Sequence, residues 1–203
     1  MTELGGSGSP AVDPGGRRGL VVVVSGPSGV GKGSVHAGLH GLLDGLEVSV
    51  SATTRSPRPG ERDGVAYHFV DGGTFDRMVV TGALLEWAEY AGHRYGTPRD
   101  PLEEAVGRGR TVLLEIEVQG ALQVRAGLPE ALLIFLVPPT FDELERRLRD
   151  RGTEDEATIL DRLEVARREM AAADAFDHVV VNDDLDRCTR EVADLIAKAR
   201  SGL

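Results

Sequence analysis

The stretch Leu20-Val-Val-Val-Val-Ser-Gly-Pro-Ser-Gly-Val-Gly-Lys-Gly-Ser34 decides how the rest of the chain is read. Its opening is a β-branched apolar run of strand length without polar alternation, which predicts a strand buried on both faces. The run passes directly into Gly26-x-x-x-x-Gly31-Lys32, the spacing of a phosphate-binding loop. Glycines there let successive backbone N–H groups turn inward around phosphate oxygens. Lys32 adds a compact positive charge, and the following helix presents its positive end to the same point. A plain Gly-rich turn does not require strand, loop, lysine and helix in this order. The chain holds only two lysines, Lys32 and Lys198, and one of them stands here. One position departs from the pattern. The Ser or Thr expected after the lysine, whose hydroxyl ligates Mg²⁺, is Gly33, and the hydroxyl arrives one place later on Ser34.

Around this motif the chain alternates strand-like and helix-like segments. Apolar runs at Leu20–Ser25, 47–51, 111–116, Leu132–Val137 and His178–Val181 are separated by helical patterns. Two of the helices open with a Thr-x-x-Glu capping signature, Thr140 with Glu143 and Thr153 with Glu156. Such alternation predicts an α/β fold, a parallel sheet flanked by helices. Residues 52–98 interrupt it with short runs at 66–70, Leu84–Tyr90 and 93–97, which read as a small β-rich insertion. Residues 1–19 are rich in Gly, Ser and Pro and lack the apolar side chains that offset ordering entropy, so they read as a disordered tail ahead of one domain over 20–203.

Composition narrows the function. The 203 residues carry a formal net charge of −10, which argues against non-specific binding to nucleic acid or to an anionic membrane. A phosphorylated ligand then needs a local basic pocket. No apolar run reaches membrane-span length. The single cysteine, Cys188, rules out an internal disulfide and fits a reducing cytoplasm.

Four further runs carry candidate chemistry. In Ser51-Ala-Thr-Thr-Arg55-Ser-Pro-Arg58-Pro-Gly-Glu61, two arginines sit three apart in a proline-stiffened loop, suited to bidentate phosphate binding, although such a pair is as often solvated surface. In Leu84-Leu-Glu86-Trp87-Ala88, strand alternation puts Glu86 on one face with Leu84 and Ala88, and Leu85 with Trp87 on the other. A carboxylate facing a pocket accepts hydrogen bonds from a base that carries donors; on a two-sided strand it can equally face water. Glu115-Ile-Glu117 ends a buried strand, where open α/β sheets bind ligands and where a carboxylate can hold Mg²⁺ directly or through water. Arg147 and Arg151 are four apart on one predicted helix, and Arg162 follows on the next. Three convergent guanidinium groups can neutralise a migrating phosphoryl group, while the interspersed Glu143, Glu145 and Asp150 offer them ordinary ion pairs instead.

Together these runs resemble the guanylate kinases. The resemblance covers nearly everything from Leu20 to about residue 200 and rests on Ser25-Gly-Pro-Ser-Gly-x-Gly-Lys32, Ser49-Val-Ser-Ala-Thr-Thr-Arg55-x-Pro-Arg58-x-Gly-Glu61, Tyr67-x-Phe69, Leu85-Glu86-Trp87-Ala88, Tyr95-Gly-Thr97, Arg151-Gly-Thr-Glu154 and Val181-Asn-Asp-Asp184. It implies a P-loop core, a GMP-binding insertion at about 52–98 and a helical lid at about 143–165. It implies ATP and GMP as substrates, Mg²⁺ with the ATP, and direct in-line transfer of the γ-phosphoryl to give ADP and GDP in purine nucleotide metabolism. By the same resemblance Gly26, Pro27, Ser28, Gly29, Val30, Gly31, Lys32, Gly33 and Ser34 bind the ATP phosphates, with Asn182 on the adenine side. Arg55, Arg58, Tyr67 and Tyr95 hold the GMP phosphate. Ser51, Glu86 and Thr97 read the guanine. Lys32, Arg147, Arg151 and Arg162 serve the transferring phosphoryl. Glu117, where the family usually has Asp, lies on the GMP side and is the candidate metal carboxylate. Two other readings stay open at this stage: a kinase-like scaffold that binds peptides without catalysis, and a P-loop kinase for another phosphorylated acceptor. Oligomeric state is open.

Overall fold

The computed structural model describes residues 19–90, 92–150, 152 and 155–202. The predicted tail at 1–19 therefore lies, but for Gly19, outside the described residues, as do Arg151 and Thr153.

Five strands, β1 (Leu20–Ser25), β2 (Leu46–Val48), β7 (Thr111–Glu115), β8 (Leu132–Val137) and β9 (His178–Val181), form one parallel sheet in the order β2-β7-β1-β8-β9. β1 is the central strand, and its continuous valine run is explained by what covers each face. Leu20, Val22 and Val24 pack with Val35 and Leu39 of α1 (Lys32–Leu39) and with Val192 and Ile196 of α7 (Leu185–Ser201). Val21 and Val23 pack on the other side with Leu102 and Val106 of α3 (Arg99–Gly107) and Val124 of α4 (Val118–Gly127). A strand buried on both faces has no use for polar alternation.

A second sheet, of order β4-β3-β6-β5, is built from β3 (Ala52–Thr53), β4 (His68–Phe69), β5 (Leu84–Tyr90) and β6 (His93–Pro98). It carries its own small core, in which Phe75 of α2 (Gly72–Val80) packs on Ala52 and Leu84. A third unit is the pair α5 (Phe141–Asp150) and α6 (Glu156–Met170), joined by Leu148, Ile159 and Leu163. Leu144 of α5 and Ala166 of α6 reach into the main core and moor the pair to it.

Three local expectations change. β2 stops at Val48: the Ser49 N–H still donates to the Leu113 carbonyl at 3.2 Å, but Ser51 has already left for the second sheet and gives its carbonyl to the His68 N–H at 2.9 Å. Strict alternation fails at the start of β5, because the register shifts between Leu84 and Glu86. Leu84 joins Phe75, whose ring also meets Trp87 edge-on at 6.3 Å, while Leu85 enters the main core; Glu86 keeps company with Ala88 but not with Leu84. The cap of α6 is Asp155, which accepts from the Thr158 N–H at 2.8 Å, and Glu156 is occupied by Arg149. At α5 the Thr140 hydroxyl does accept from the Glu143 N–H at 3.1 Å, but the Glu143 side chain turns to Arg146 and Arg147.

Candidate active site

The loop between β1 and α1 closes over its own lysine. Lys32 Nζ donates to the Gly26 carbonyl at 2.5 Å and lies 4.0 Å from Glu117 Oε1. Gly31 has φ 103° and heads α1, and a Cβ there would sit 2.6 Å from Asn182 Nδ2, so this position needs glycine for its backbone and for its neighbour. At Gly33 there is room: a Cβ would lie 3.9 and 4.0 Å from the two Glu115 carboxylate oxygens, an ordinary contact. The carboxylate in front of the missing hydroxyl is thus Glu115, whose Oε2 is 3.1 Å from His36 Nδ1. Sequence reading singled out Glu117 instead. The signal for Glu115 was its place as the last residue of the strand beside β1.

Glu117, the neighbour of Lys32, borders a cavity of about 280 Å³ that is also lined by Ser51, Arg55, Arg58, Tyr67, Glu86, Tyr95, Glu115 and Gly120, among others. Seven of the eight residues expected at an acceptor site therefore meet there, from five different elements or loops, and the eighth, Thr97, stands directly behind. Its Oγ1 donates to Glu86 Oε1 at 2.7 Å, across the β5–β6 pair. Glu86 is only 4% exposed, and burial raises the pKa of its carboxyl while the bond from Thr97 opposes the rise. The other oxygen, Oε2, lies 2.4 Å from where a Cβ would stand on residue 120, so the close approach of α4 to β5 requires Gly120. Nothing in the local sequence distinguishes Gly120 from an ordinary helical glycine. A second tie has no local sequence signal either: Gln123 of α4 accepts from the Trp87 N–H at 3.1 Å and donates to the Trp87 carbonyl at 2.7 Å, fastening the second sheet to α4.

At the opposite wall Arg55 is held ready. Its guanidinium forms a two-pronged pair with Glu61 at 2.9 and 3.0 Å and lies over the Tyr67 and Phe69 rings. Glu61 also accepts from the Arg58 N–H at 2.7 Å, and Arg55 holds its carboxyl below the usual range. Glu61 therefore aims the Arg55 guanidinium and fixes the backbone at Arg58.

Against the loop itself lies a more open cavity of about 470 Å³, lined by Gly29, Gly31, Ser34, Arg147, Asp150, Asn182, Asp183 and Leu185. Arg147 donates to Glu143 Oε1 at 2.8 Å, to the Val30 carbonyl at 3.3 Å and to the Asn182 carbonyl at 2.9 Å. Arg146 first and Arg147 second bring the Glu143 carboxyl down to about 2. Arg162 is half-buried on α6, the helix packed on α5. Behind the loop, Glu169 of α6 has one oxygen buried without a hydrogen-bond partner, and burial and the neighbouring Glu117 carboxyl raise its pKa.

A glycine loop leading from the central strand of a parallel sheet, a lysine folded into it, one cavity against the loop and another bordered by that lysine's neighbour Glu117, with arginines in each, define the class: a P-loop phosphotransferase. The family follows from comparison. A guanylate kinase family model matches residues 18–199. The guanylate kinase of Leifsonia xyli subsp. xyli is 57% identical over 181 residues, covering 89% of this chain and 71% of that protein. That of Synechococcus sp. strain CC9902 is 54% identical over 174 residues, covering 86% and 93%. The crystal structure of guanylate kinase from Anaplasma phagocytophilum superposes with a TM-score of 0.74 at 33% identity, over 91% of this chain and 87% of that one. The chain belongs to the guanylate kinase family.

Proposed function

We propose that this chain transfers the γ-phosphoryl of ATP directly to the phosphate of GMP. The observation that carries the reading is the acceptor cavity, which has a two-arginine wall for a phosphate and a buried carboxylate for a base. Guanine offers an N1 proton and an amino group toward an acceptor, and Glu86, already oriented by Thr97, supplies one. Adenine presents no such pair of donors, and a site built for specific hydrogen bonds can discriminate by about 10⁴ or more. The β-rich insertion at about 52–98 is then the GMP-binding part and the helices at about 143–165 the lid.

No side-chain nucleophile or dedicated base is required. A phosphate monoester has a second pKa of about 6, so the acceptor is already largely dianionic at neutral pH. The work left to the protein is to hold two anions in line and offset their repulsion. Arg55, aimed by Glu61, and Arg58 take the acceptor phosphate; Lys32 and the loop N–H groups take the donor; Arg147, with Arg162 from the neighbouring helix, faces the group in transit, and the family resemblance gives Arg151 the same role. This explains an arginine-rich centre in a chain of net charge −10. Mg²⁺ fits the site's chemistry. Glu115 and Glu117 are hard oxygen donors at the carboxyl end of β7, and they would hold the ion, directly or through water, where it offsets charge on the ATP phosphates. Among the described residues no cluster of three His, Cys, Asp or Glu can hold a metal unaided, so nucleotide oxygens and water would complete the shell.

Among the described residues no helix is long and apolar enough to cross a membrane. We place the enzyme in the cytoplasm, where a lone buried thiol such as Cys188 stays reduced. The test is ADP release, coupled to a chromogenic readout, with GMP, AMP, CMP and UMP as acceptors. GMP-dependent release with the others near background is the expected result. No release with any of them overturns the proposal and raises the peptide-binding scaffold in its place.

A further inference from the structure

We infer that Asn182 is a positioning residue that clamps the phosphate loop through its side-chain amide, rather than a reader of the donor's base. Asn182 follows the last residue of β9 and is 4% exposed. Its backbone N–H extends the sheet by donating to the Val137 carbonyl at 2.8 Å. From that fixed base the side-chain Nδ2 donates to the Val30 carbonyl at 2.7 Å. The assignment of nitrogen rather than oxygen follows from the partner, because a carbonyl only accepts. Arg147 ties the same two residues: it donates to the Asn182 backbone carbonyl at 2.9 Å and to the Val30 carbonyl at 3.3 Å.

The consequence lies in the planarity of the peptide. In a trans peptide the C=O and the following N–H point to opposite sides. Drawing the Val30 carbonyl outward to Asn182 therefore turns the Gly31 N–H to the opposite side, the side on which the loop encloses phosphate. Gly31, at φ 103°, is the one residue type that accepts this conformation freely, and its missing Cβ leaves the space that Asn182 Nδ2 fills. One of the two Nδ2 protons of Asn182 is thus engaged by the loop itself. A preset N–H donor needs no reorganisation when phosphate arrives.

The inference rests on the phosphotransfer reading for its kinetic test, and a second measurement stands apart from it. Asn182→Asp keeps an acceptor oxygen for an adenine amino group but loses the donor to Val30; Asn182→Ala loses both. KM and kcat are measured for ATP and for inosine triphosphate, which lacks that amino group, with GMP as acceptor. As a clamp, both variants raise KM at least tenfold for both donors by a common factor, with the KM for GMP within twofold of wild type. Asn182→Asp with wild-type KM for ATP overturns the inference. So does a loss tenfold larger for ATP than for inosine triphosphate, or a lowered melting temperature with unchanged KM. If neither variant folds, ¹⁵N-asparagine-labelled wild type decides. The Asn182 side-chain amide protons are expected to exchange slowly without ligand and to shift alike with ATP and with inorganic tripolyphosphate. Fast exchange, or a shift with ATP alone, overturns the clamp. Wild type without any GMP-dependent turnover defeats the function proposal but leaves this readout intact.

Discussion

Glu86 shows how much one side chain owes to its surroundings. It is nearly fully buried, has one oxygen tied to Thr97, and faces a cavity whose far wall is cationic. Glu86→Gln replaces one acceptor oxygen with a donor that faces guanine donors. We expect the preference for GMP over AMP to fall by about 10² or more while the affinity for ATP stays within about twofold, read by steady-state kinetics with each acceptor. An unchanged preference removes Glu86 from the recognition set. Gly33 poses the complementary question. A serine there would stand in ordinary contact with Glu115, at the position from which P-loop hydroxyls ligate Mg²⁺. Gly33→Ser is expected to lower the Mg²⁺ concentration for half-maximal rate, and Gly33→Ser combined with Glu115→Gln to be non-additive, since the two groups are neighbours. Identical Mg²⁺ titrations for wild type and Gly33→Ser would show that the hydroxyl is dispensable. Arg55, Arg58, Glu86 and Lys32 are legible in the sequence, because their chemistry is local to a motif. Glu115 is legible only as one of two carboxylates at a strand end, and Gly120 not at all, because what each faces, Gly33 and Glu86, lies across a space from it.

At the scale of elements, the second sheet is a small unit with a single large aromatic at its centre. Phe75 is fully buried among Ala52, Leu84 and Trp87, and Arg94 lies over its ring at 4.8 Å. Truncating a buried phenylalanine typically costs about 3–5 kcal/mol. Here the cost falls first on β3, β5 and β6, or the residues beside them, which carry Arg55, Glu86, Tyr95 and Thr97. Phe75→Ala is therefore expected to raise the KM for GMP more than tenfold while ATP binding, carried by the other sheet, persists in titration calorimetry. Equal loss of both would mean that the two sheets unfold as one unit. The element boundaries also show where local reading stops. The bulge at the start of β5 broke the alternation that periodicity requires, and the pairing partner that forces it, β6, begins several residues on. The start of α6 went to Asp155 rather than Thr153 because an acidic side chain nearer the helix captured the free N–H.

At the scale of the molecule, the arginines sit in separate units that must converge on one small pair of substrates. Small-angle scattering with a bisubstrate analogue is expected to show a smaller radius of gyration than the free protein; superimposable profiles would point to a preformed site. The acidic pair behind the loop gives a second global observable. Burial and Glu117 raise the pKa of Glu169 above its value in an unfolded chain. The folded state then holds this proton more tightly, so its contribution to stability is present below the usual carboxylate range, about 4.3, and is lost as pH rises through the raised pKa. Urea midpoints of the ligand-free protein are expected to fall from about pH 5 to about pH 8, and Glu169→Gln to flatten that slope. A slope identical in the variant would show that Glu169 titrates normally.

Two things were decided by sequence alone. The valine run with its glycine loop and lysine specified a buried parallel strand feeding a phosphate site, because each step depends on neighbours within a few residues: side-chain shape, φ freedom and helix polarity. The alternation of apolar runs with helical patterns then specified the layered α/β architecture. The tertiary structure decided everything that depends on partners distant in the chain. It set Glu115 rather than Glu117 against Gly33, pressed Gly120 against Glu86, and spent the Asn182 amide on Val30, 152 residues away. Such contacts arise from the packing of whole elements, and a hydrogen bond between groups so far apart leaves no periodicity for a sequence to display.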